Sequence, residues 1–138
     1  ALGDQLSALV RLQSEEGMWH TILNDDTSYL ETSATAGIAA ALTVNAHPLH
    51  QKYVAKAYEG IVSNIDEDGS VRNVSAGTAV MYTAEDYNLV PKKRVQGWGQ
   101  GLVLAFLAAL LKKQELSQKT KIATENGSES IEIRTGEK

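Results

Sequence analysis

Three carboxylates form the densest local cluster of groups suited to acid–base chemistry: Asp25, Asp26 and Glu31. A general acid in this cluster would have to be withdrawn from water so that its pKa rises. Each residue also has a structural alternative. Asp25 and Asp26 fall in a turn-rich segment, and Glu31 precedes a helical stretch that a carboxylate can stabilise. We favour the structural roles and assign no catalytic residue.

We expect no metal or cofactor site. The chain contains no cysteine, which excludes disulfides, zinc–thiolate centres and thiol nucleophiles. The acidic turn at residues 66–69 superficially resembles a calcium loop, but it lacks the alternating ligands and the distal glutamate of such loops. His47 and His50 flank a helix start and are expected at the surface.

Charge and length exclude further classes of protein. The 138 residues carry a net charge of −4, whereas a nucleic-acid binder would show a basic stripe. The basic run at residues 92–94 is too short to change this and is interpreted as a solvated loop. Residues 102–111 are apolar throughout, but a membrane span needs about 20 such residues, so they predict a buried helix. No signal-peptide pattern is visible, and among compartments we favour the cytoplasm.

The candidate side chains must be positioned by helices, because apolar residues recur mostly at helical spacing. Four long helices are predicted, over residues 1–14, 32–44, 48–65 and 100–114. The first and third are amphipathic and suit the outside of a domain. The second is rich in alanine and other small residues, which allow close packing on all sides. The fourth is apolar and suits the interior.

The segments between and after these helices are less regular. Short extended pieces are predicted at 18–23 and 70–74, and a short helix from Gly77 to Tyr82. Residues 97–101 read as a glycine-rich turn that introduces the last helix. The polar stretch 117–138 is predicted to be a mobile tail, with a strand at residues 131–133 as the alternative.

One pattern occurs twice along the chain. An amphipathic helix ends in an acidic turn with a glycine, and a polar loop and an apolar helix follow. The two glycines, Gly17 and Gly69, lie 52 positions apart, a spacing typical of stacked supersecondary units. Stacked helical hairpins form an arc or a toroid with apolar inner helices. The long loops would then gather at one end, where ligands usually bind.

Four motifs in a fixed order resemble a known family. They are Gly17-Met18-Trp19-His20, the stretch from Tyr29 to Ala36, Ser75-Ala76-Gly77-Thr78, and Gly97-Trp98-Gly99-Gln100-Gly101-Leu102. Together they resemble the C-terminal half of the unsaturated rhamnogalacturonyl hydrolases, whose superfamily includes the unsaturated glucuronyl hydrolases. The resemblance covers residues 1–116. It divides the chain into a toroid portion, 1–116, and a tail, 117–138.

The resemblance implies an all-α fold, an (α/α)6 barrel of which this chain is a part. It implies a substrate oligosaccharide that carries a 4,5-unsaturated uronic acid. In this family an aspartate protonates the C4=C5 double bond, water adds at C5, and the hemiketal releases the neighbouring sugar, unlike paired-carboxylate hydrolysis. The family's catalytic aspartate lies N-terminal to the matched region. We therefore expect this chain to be inactive alone.

Six residues are candidates for substrate binding. Trp19 and Trp98 offer aromatic faces to a sugar, and the other four offer polar contacts: His20, Thr78, Tyr82 and Gln100. The alternative for Trp19 is to fill the gap between hairpins. For the others, a structural role is the alternative to substrate binding. Trp98 and Gln100 are expected to combine packing with substrate contact.

The expected partners are an oligosaccharide and a further protein segment, with neither nucleic acid nor membrane. A half ring would expose inner-helix apolar surface at residues 36–42 and 103–111, which predicts self-association or a missing N-terminal half. The chain begins without methionine, which suggests a piece of something longer. A non-catalytic carbohydrate-binding or assembly module stays open, as does another toroid enzyme such as a sugar epimerase.

Overall fold

The computed structural model describes the backbone of residues 2–135 and the side chains of residues 2–125. Within that part the regular structure is helical, as the sequence predicts. The helices are α1 (Leu2–Arg11), α2 (Thr32–Asn45), α3 (Gln51–Val62), α4 (Ala84–Asn88) and α5 (Gly97–Thr135), with a 3₁₀ turn at Pro48–His50 before α3. None of the described helices is both long enough and apolar enough to cross a bilayer.

Helix α2 is the inner helix of the first hairpin. Its small side chains permit close approach, and it packs against both α3 and α5. Ala36, Ala39 and Leu42 are completely or almost completely buried. The helix ends where Ala46 adopts a left-handed conformation, with φ of 55°. Both the bounds and the interior position of α2 confirm the prediction.

Helices α1 and α3 coat the outside. In α3 the residues Val54, Ala57 and Ile61 face the core, while Lys52 and Glu59 are exposed. This division is the amphipathic pattern of a helix with one face in water. Helix α1 sends Leu6 into the same core. Apolar side chains from α1, α2, α3 and α5 therefore form one cluster.

Both long loops lie at one end of these hairpins. The loop of residues 12–31 leads from α1 into α2, and the loop of residues 63–96 leads from α3 into α5. The N–H of Thr32, at the start of α2, donates to the carbonyl of Asn73 over 3.0 Å. Gly99, in the first turn of α5, packs on Val74. The starts of both inner helices thus meet the second loop, as the repeat predicts.

The end of the chain departs from the prediction. Helix α5 continues to Thr135, so the expected strand at residues 131–133 is wrong. Lysine, glutamine and glutamate in this stretch favour helix, and no proline interrupts it. Lys121 and Glu125 add an i, i+4 ion pair of 3.9 Å. The helix crosses residue 116 without a break, and a domain division there stays a prediction.

The short helix predicted from Gly77 to Tyr82 is also wrong. Gly77 has a positive φ of 107°, and the helix α4 begins seven residues later. Thr83 caps it, because its hydroxyl accepts the N–H of Asp86 and the Asp86 carboxylate accepts the N–H of Thr83. This reciprocal pair satisfies two of the free donors of a helix start and fixes where α4 begins.

The glycine-rich segment 97–101 is not a separate turn. It forms the first turn of α5, which begins at Gly97. A Cβ on Gly99 would lie 2.6 Å from Cγ2 of Val74, whereas one on Gly101 would meet no atom within 4 Å. Close packing against the second loop, rather than turning, therefore requires the glycine at position 99.

Candidate functional site

Glu31 joins the two loops. It is 4% exposed, and its carboxylate accepts the hydroxyl of Ser33, at 2.8 and 2.9 Å from its two oxygens, and the backbone N–H of Ala34. Across the loop end it also accepts the backbone N–H of Ser75 over 2.9 Å. Glu31 is the N-cap of α2, which confirms the structural role predicted for it.

Asp25 shapes the first loop. Its carboxylate accepts the hydroxyl of Thr27 over 2.6 Å and the backbone N–H of the same residue over 3.0 Å. These hydrogen bonds lower the pKa of Asp25, the one from the Thr27 side chain most strongly. A general acid needs the opposite shift. The turn-forming role predicted for Asp25 is therefore confirmed.

Trp19 lies in the core and not at the mouth of the site. Its side chain is 0% exposed. The indole N–H donates to the carbonyl of Leu9 over 2.7 Å, and its backbone N–H donates to the hydroxyl of Thr35 over 3.0 Å. A sugar cannot reach a fully buried ring, so the stacking role is wrong. The alternative, filling the space between hairpins, describes what the side chain does.

Gln100 braces the second loop from the first turn of α5. Its Oε1 accepts the N–H of Val71 over 2.7 Å, and its Nε2 donates to the carbonyl of Gly69 over 3.1 Å. These bonds are the structural part of the mixed role predicted for Gln100, and its substrate contact stays a prediction.

His20 is half-buried in the first loop, beside an isolated bridge to Leu30. Its Nδ1 lies within hydrogen-bond distance of the carbonyl of Ser28. A carbonyl only accepts, so Nδ1 carries the proton and Nε2 of the neutral ring is left as an acceptor. The substrate contact predicted for His20 stays a prediction.

A cleft of about 450 Å³ opens between the two loops. Thr21 and Ile22 form one wall, and residues 81–84 with Tyr87 form the other. The side chain of Tyr82 is fully exposed at this cleft. The hydroxyl of Tyr87 accepts the N–H of Met81 over 3.3 Å, which shapes the second wall. The cleft combines apolar surface with hydroxyl groups, a mixture common in small-molecule sites.

The sequence does not single out Thr21 as a wall of this cleft. It lies beside His20 but carries no motif, and only the folded loops bring it to Tyr82. Thr78 is exposed next to Gly77 in the second loop. Trp98, 48% exposed, follows that loop in the first turn of α5.

Lys92 is not fully solvated, although the sequence predicts a solvated loop for residues 92–94. It is half-buried, and its ammonium lies 3.6 Å from the centre of the Tyr29 ring. The carbonyl of Pro91 accepts the N–H of Ala76 over 2.8 Å, which fixes the backbone next to Lys92. Lys92 therefore contacts the first loop, whereas Lys93 and Arg94 are exposed.

The histidines of the α2–α3 connection lie apart from the loops. His47 is exposed, and its Nδ1 accepts the N–H of Leu49 over 3.3 Å. His50 is half-buried, and its Nδ1 is buried without a hydrogen-bond partner. Burial lowers the pKa of His50, and the charge of His47 lowers it further. The predicted surface position is confirmed for His47 alone.

The sequence pattern of Glycosyl Hydrolase Family 88 matches residues 1–114. The chain belongs to this family. It is 60% identical over 115 residues to the unsaturated rhamnogalacturonyl hydrolase YesR of Bacillus subtilis (strain 168), and that match covers 83% of this chain. It covers 33% of the relative. The chain therefore spans about a third of the length of the curated relative it matches.

Two solved structures of family relatives have the same fold. A possible GH105 member from Salmonella enterica aligns with a TM-score of 0.76 at 32% identity, over 81% of this chain and 31% of its own. A possible GH105 member from Klebsiella pneumoniae aligns with a TM-score of 0.74 at 33% identity, over 80% of this chain and 30% of its own. The chain is part of an α/α toroid, and the family resemblance is confirmed.

Proposed function

We propose that this chain is the C-terminal part of a glycoside hydrolase that acts on oligosaccharides bearing an unsaturated uronyl group, such as fragments of pectin. The observation that carries the proposal is the 60% identity to an unsaturated rhamnogalacturonyl hydrolase. The reaction is hydration of the C4=C5 double bond, after which the hemiketal collapses and releases the neighbouring sugar.

The loop end of the hairpins is the place where such a substrate would bind. The cleft there has room for a sugar residue, and Tyr82 presents an exposed ring on which its apolar face can stack. His20 keeps one ring nitrogen as an acceptor for a hydroxyl group. We assign substrate contact to these two residues, with Thr78 and Trp98 as further contacts at the same end.

The proton donor in this proposal comes from another segment of the enzyme. Glu31 is the one buried carboxylate among residues 2–125, and hydrogen bonds from Ser33, Ala34 and Ser75 already occupy it. The lowered pKa of Asp25 keeps that residue ionised. Both observations favour a division of labour in which this chain binds substrate and a preceding hairpin supplies the acid.

The rest of the toroid would cover the apolar surface that the hairpins leave open. An apolar groove of about 510 Å³ lies between α1 and α2, bordered by Leu9, Leu12 and Ile38. On α5 the side chains of Leu104 and Leu111 are exposed. Exposed apolar surface of this kind usually marks an interface. We assign both surfaces to neighbouring hairpins of the same enzyme rather than to self-association.

The test is turnover of an unsaturated disaccharide by the full-length enzyme. Loss of the double bond abolishes its ultraviolet absorbance, so the reaction is followed directly. Steady loss of absorbance with release of the second sugar supports the proposal. If a folded full-length protein leaves the disaccharide intact but binds it in calorimetry, a non-catalytic carbohydrate-binding module replaces the hydrolase. If the folded full-length protein neither turns over nor binds the disaccharide, both functions are contradicted.

A further inference from the structure

A cation is held at the loop end by groups that do not neutralise it. Lys92 lies over the ring of Tyr29, with Nζ 3.6 Å from the ring centre. The phenol oxygen of Tyr29 is 2.7 Å from the hydroxyl of Ser75, and its backbone N–H donates to Oδ1 of Asn88 over 3.4 Å. Tyr29 is therefore tied to the second loop at two points, one through its ring hydroxyl and one through its backbone.

No carboxylate of the described side chains forms an ion pair with Lys92. The ion pairs in residues 2–125 join Arg72 to Asp66 and Lys121 to Glu125. Glu31, the buried acid beside Ser75, accepts its hydrogen bonds from neutral donors. The positive charge at this end of the hairpins is thus free to meet a charged ligand.

The position of Lys92 suits recognition of a carboxylate. The side chain of Lys92 is half-buried, and its ammonium has no ion-pair partner among the described carboxylates. The aromatic face attracts the cation but accepts no strong hydrogen bond from it. An ammonium has three N–H donors, so a carboxylate can add charge-assisted hydrogen bonds that the ring cannot supply.

We infer that Lys92 binds the carboxylate of an acidic sugar residue and so selects acidic over neutral oligosaccharides. The inference rests on the proposed function, because an unsaturated uronyl group carries a carboxylate, but it names the residue that recognises this charge, which the proposal does not. Lys93 offers the matched comparison. It is the next residue, carries the same charge, and is exposed without a described contact.

The experiment compares three variants of the full-length enzyme on an unsaturated uronyl disaccharide. Lys92→Met should raise KM about tenfold, the effect of losing a hydrogen bond between charged groups, and leave kcat within about twofold. Lys92→Arg should restore most of the loss, since it keeps the charge. Lys93→Met should match the wild type. Equal KM values for Lys92→Met and the wild type, or equal effects of Lys92→Met and Lys93→Met, would overturn the inference.

A binding measurement separates failure of this inference from failure of the proposed function. Galacturonate and galactose are added in turn to the full-length protein, and the NMR signals of the Tyr29 ring are followed. Shifts with galacturonate that are absent with galactose, and absent in Lys92→Met, support the inference even if the disaccharide is not turned over. Equal shifts with both sugars, or none with either, contradict it.

Discussion

The carboxylate of Glu31 and the backbone N–H of Ser75 meet at 2.9 Å although 44 residues separate them in the chain. The same carboxylate caps α2. The start of an inner helix and the path of the second loop therefore depend on one buried side chain. This hydrogen bond ties the first loop to the second at the end of the hairpins.

Replacement of this carboxylate should destabilise the full-length protein and disturb the loop end. Glu31→Ala removes a helix cap and leaves the N–H groups of Ala34 and Ser75 without their acceptor. We expect a loss of about 2–4 kcal/mol in the free energy of unfolding. Glu31→Gln should lose less, because its amide oxygen still accepts one of these bonds. Chemical denaturation measures both.

Glu67→Ala is the control for this substitution, since it removes an exposed carboxylate from the second loop. We expect it to change the free energy of unfolding by less than about 0.5 kcal/mol. If Glu31→Ala were as stable as Glu67→Ala, the carboxylate of Glu31 would not join the loops in solution.

Two glycines of one helix turn should respond in opposite directions to the same substitution. A Cβ at position 99 would lie 2.6 Å from Cγ2 and 2.8 Å from Cγ1 of Val74. Gly99→Ala should therefore destabilise by about 1–3 kcal/mol through overpacking. At Gly101 there is open space, and Gly101→Ala should stabilise by up to about 1 kcal/mol because alanine favours helix.

The double variant Gly99→Ala with Val74→Ala tests the cause. Val74 is fully buried, so truncating it alone leaves a cavity and costs stability. In the double variant the new methyl group occupies part of that cavity. We expect the two effects to offset each other rather than add, as thermal unfolding can show. Simple additivity would mean that the two side chains do not meet.

The sequence predicts the long helices because their stability comes from apolar faces repeated at helical spacing. Helix α2 is found at the expected residues, whereas α3 begins after a 3₁₀ turn at Pro48–His50 and ends at Val62, three residues before the predicted end. The prediction fails where hydrogen bonds between individual residues determine where a helix begins. The bonds between Thr83 and Asp86 place α4 after the predicted segment. Polar residues beyond Leu116 form helix without any apolar pattern.

The candidate site is less predictable, because motifs and sequence spacing do not indicate whether a side chain is buried or exposed. Trp19 and Trp98 both belong to family motifs, yet one is fully buried and the other 48% exposed. Lys92 is predicted to be a solvated loop residue. The sequence does not indicate its contact with Tyr29, because the two residues are 63 positions apart. Only the packing of the two loops brings such pairs together.

Stability should fall on acidification as His50 becomes charged. Burial lowers its pKa in the folded protein below the ordinary 6.5. Between these two pKa values the unfolded chain binds a proton that the folded chain does not, so folding is opposed. The contribution is absent well above pH 6.5 and grows as the pH falls towards the folded pKa, below which it is constant. Urea unfolding at pH 7.5 and 5.5 measures the loss.

His50→Gln should reduce this pH dependence, because glutamine does not titrate in this range. His47→Asn is the companion variant. Asparagine can still cap the 3₁₀ turn. The substitution removes the charge of His47, which contributes to lowering the pKa of His50, so the pKa of His50 should rise. NMR titration of the His50 ring reports this directly. A His50 pKa at or above 6.5 in the wild type would contradict the prediction.

The two tryptophans should report on substrate and on folding separately. The full-length enzyme is labelled with 5-fluorotryptophan, and the resonances of Trp19 and Trp98 are assigned from Trp19→Phe and Trp98→Phe. Addition of an unsaturated disaccharide should shift the Trp98 resonance, because that ring is half exposed at the loop end. The Trp19 resonance should not move, since its ring has no contact with solvent and its N–H donates to the carbonyl of Leu9. The variants used for assignment also test the two positions by their stability. Trp19→Phe should lower the free energy of unfolding by about 1–3 kcal/mol, since it removes that hydrogen bond and part of the core. Trp98→Phe should change the free energy of unfolding little. A shift of both resonances, or of Trp19 alone, would mean that the ligand acts through the core rather than at the loop end.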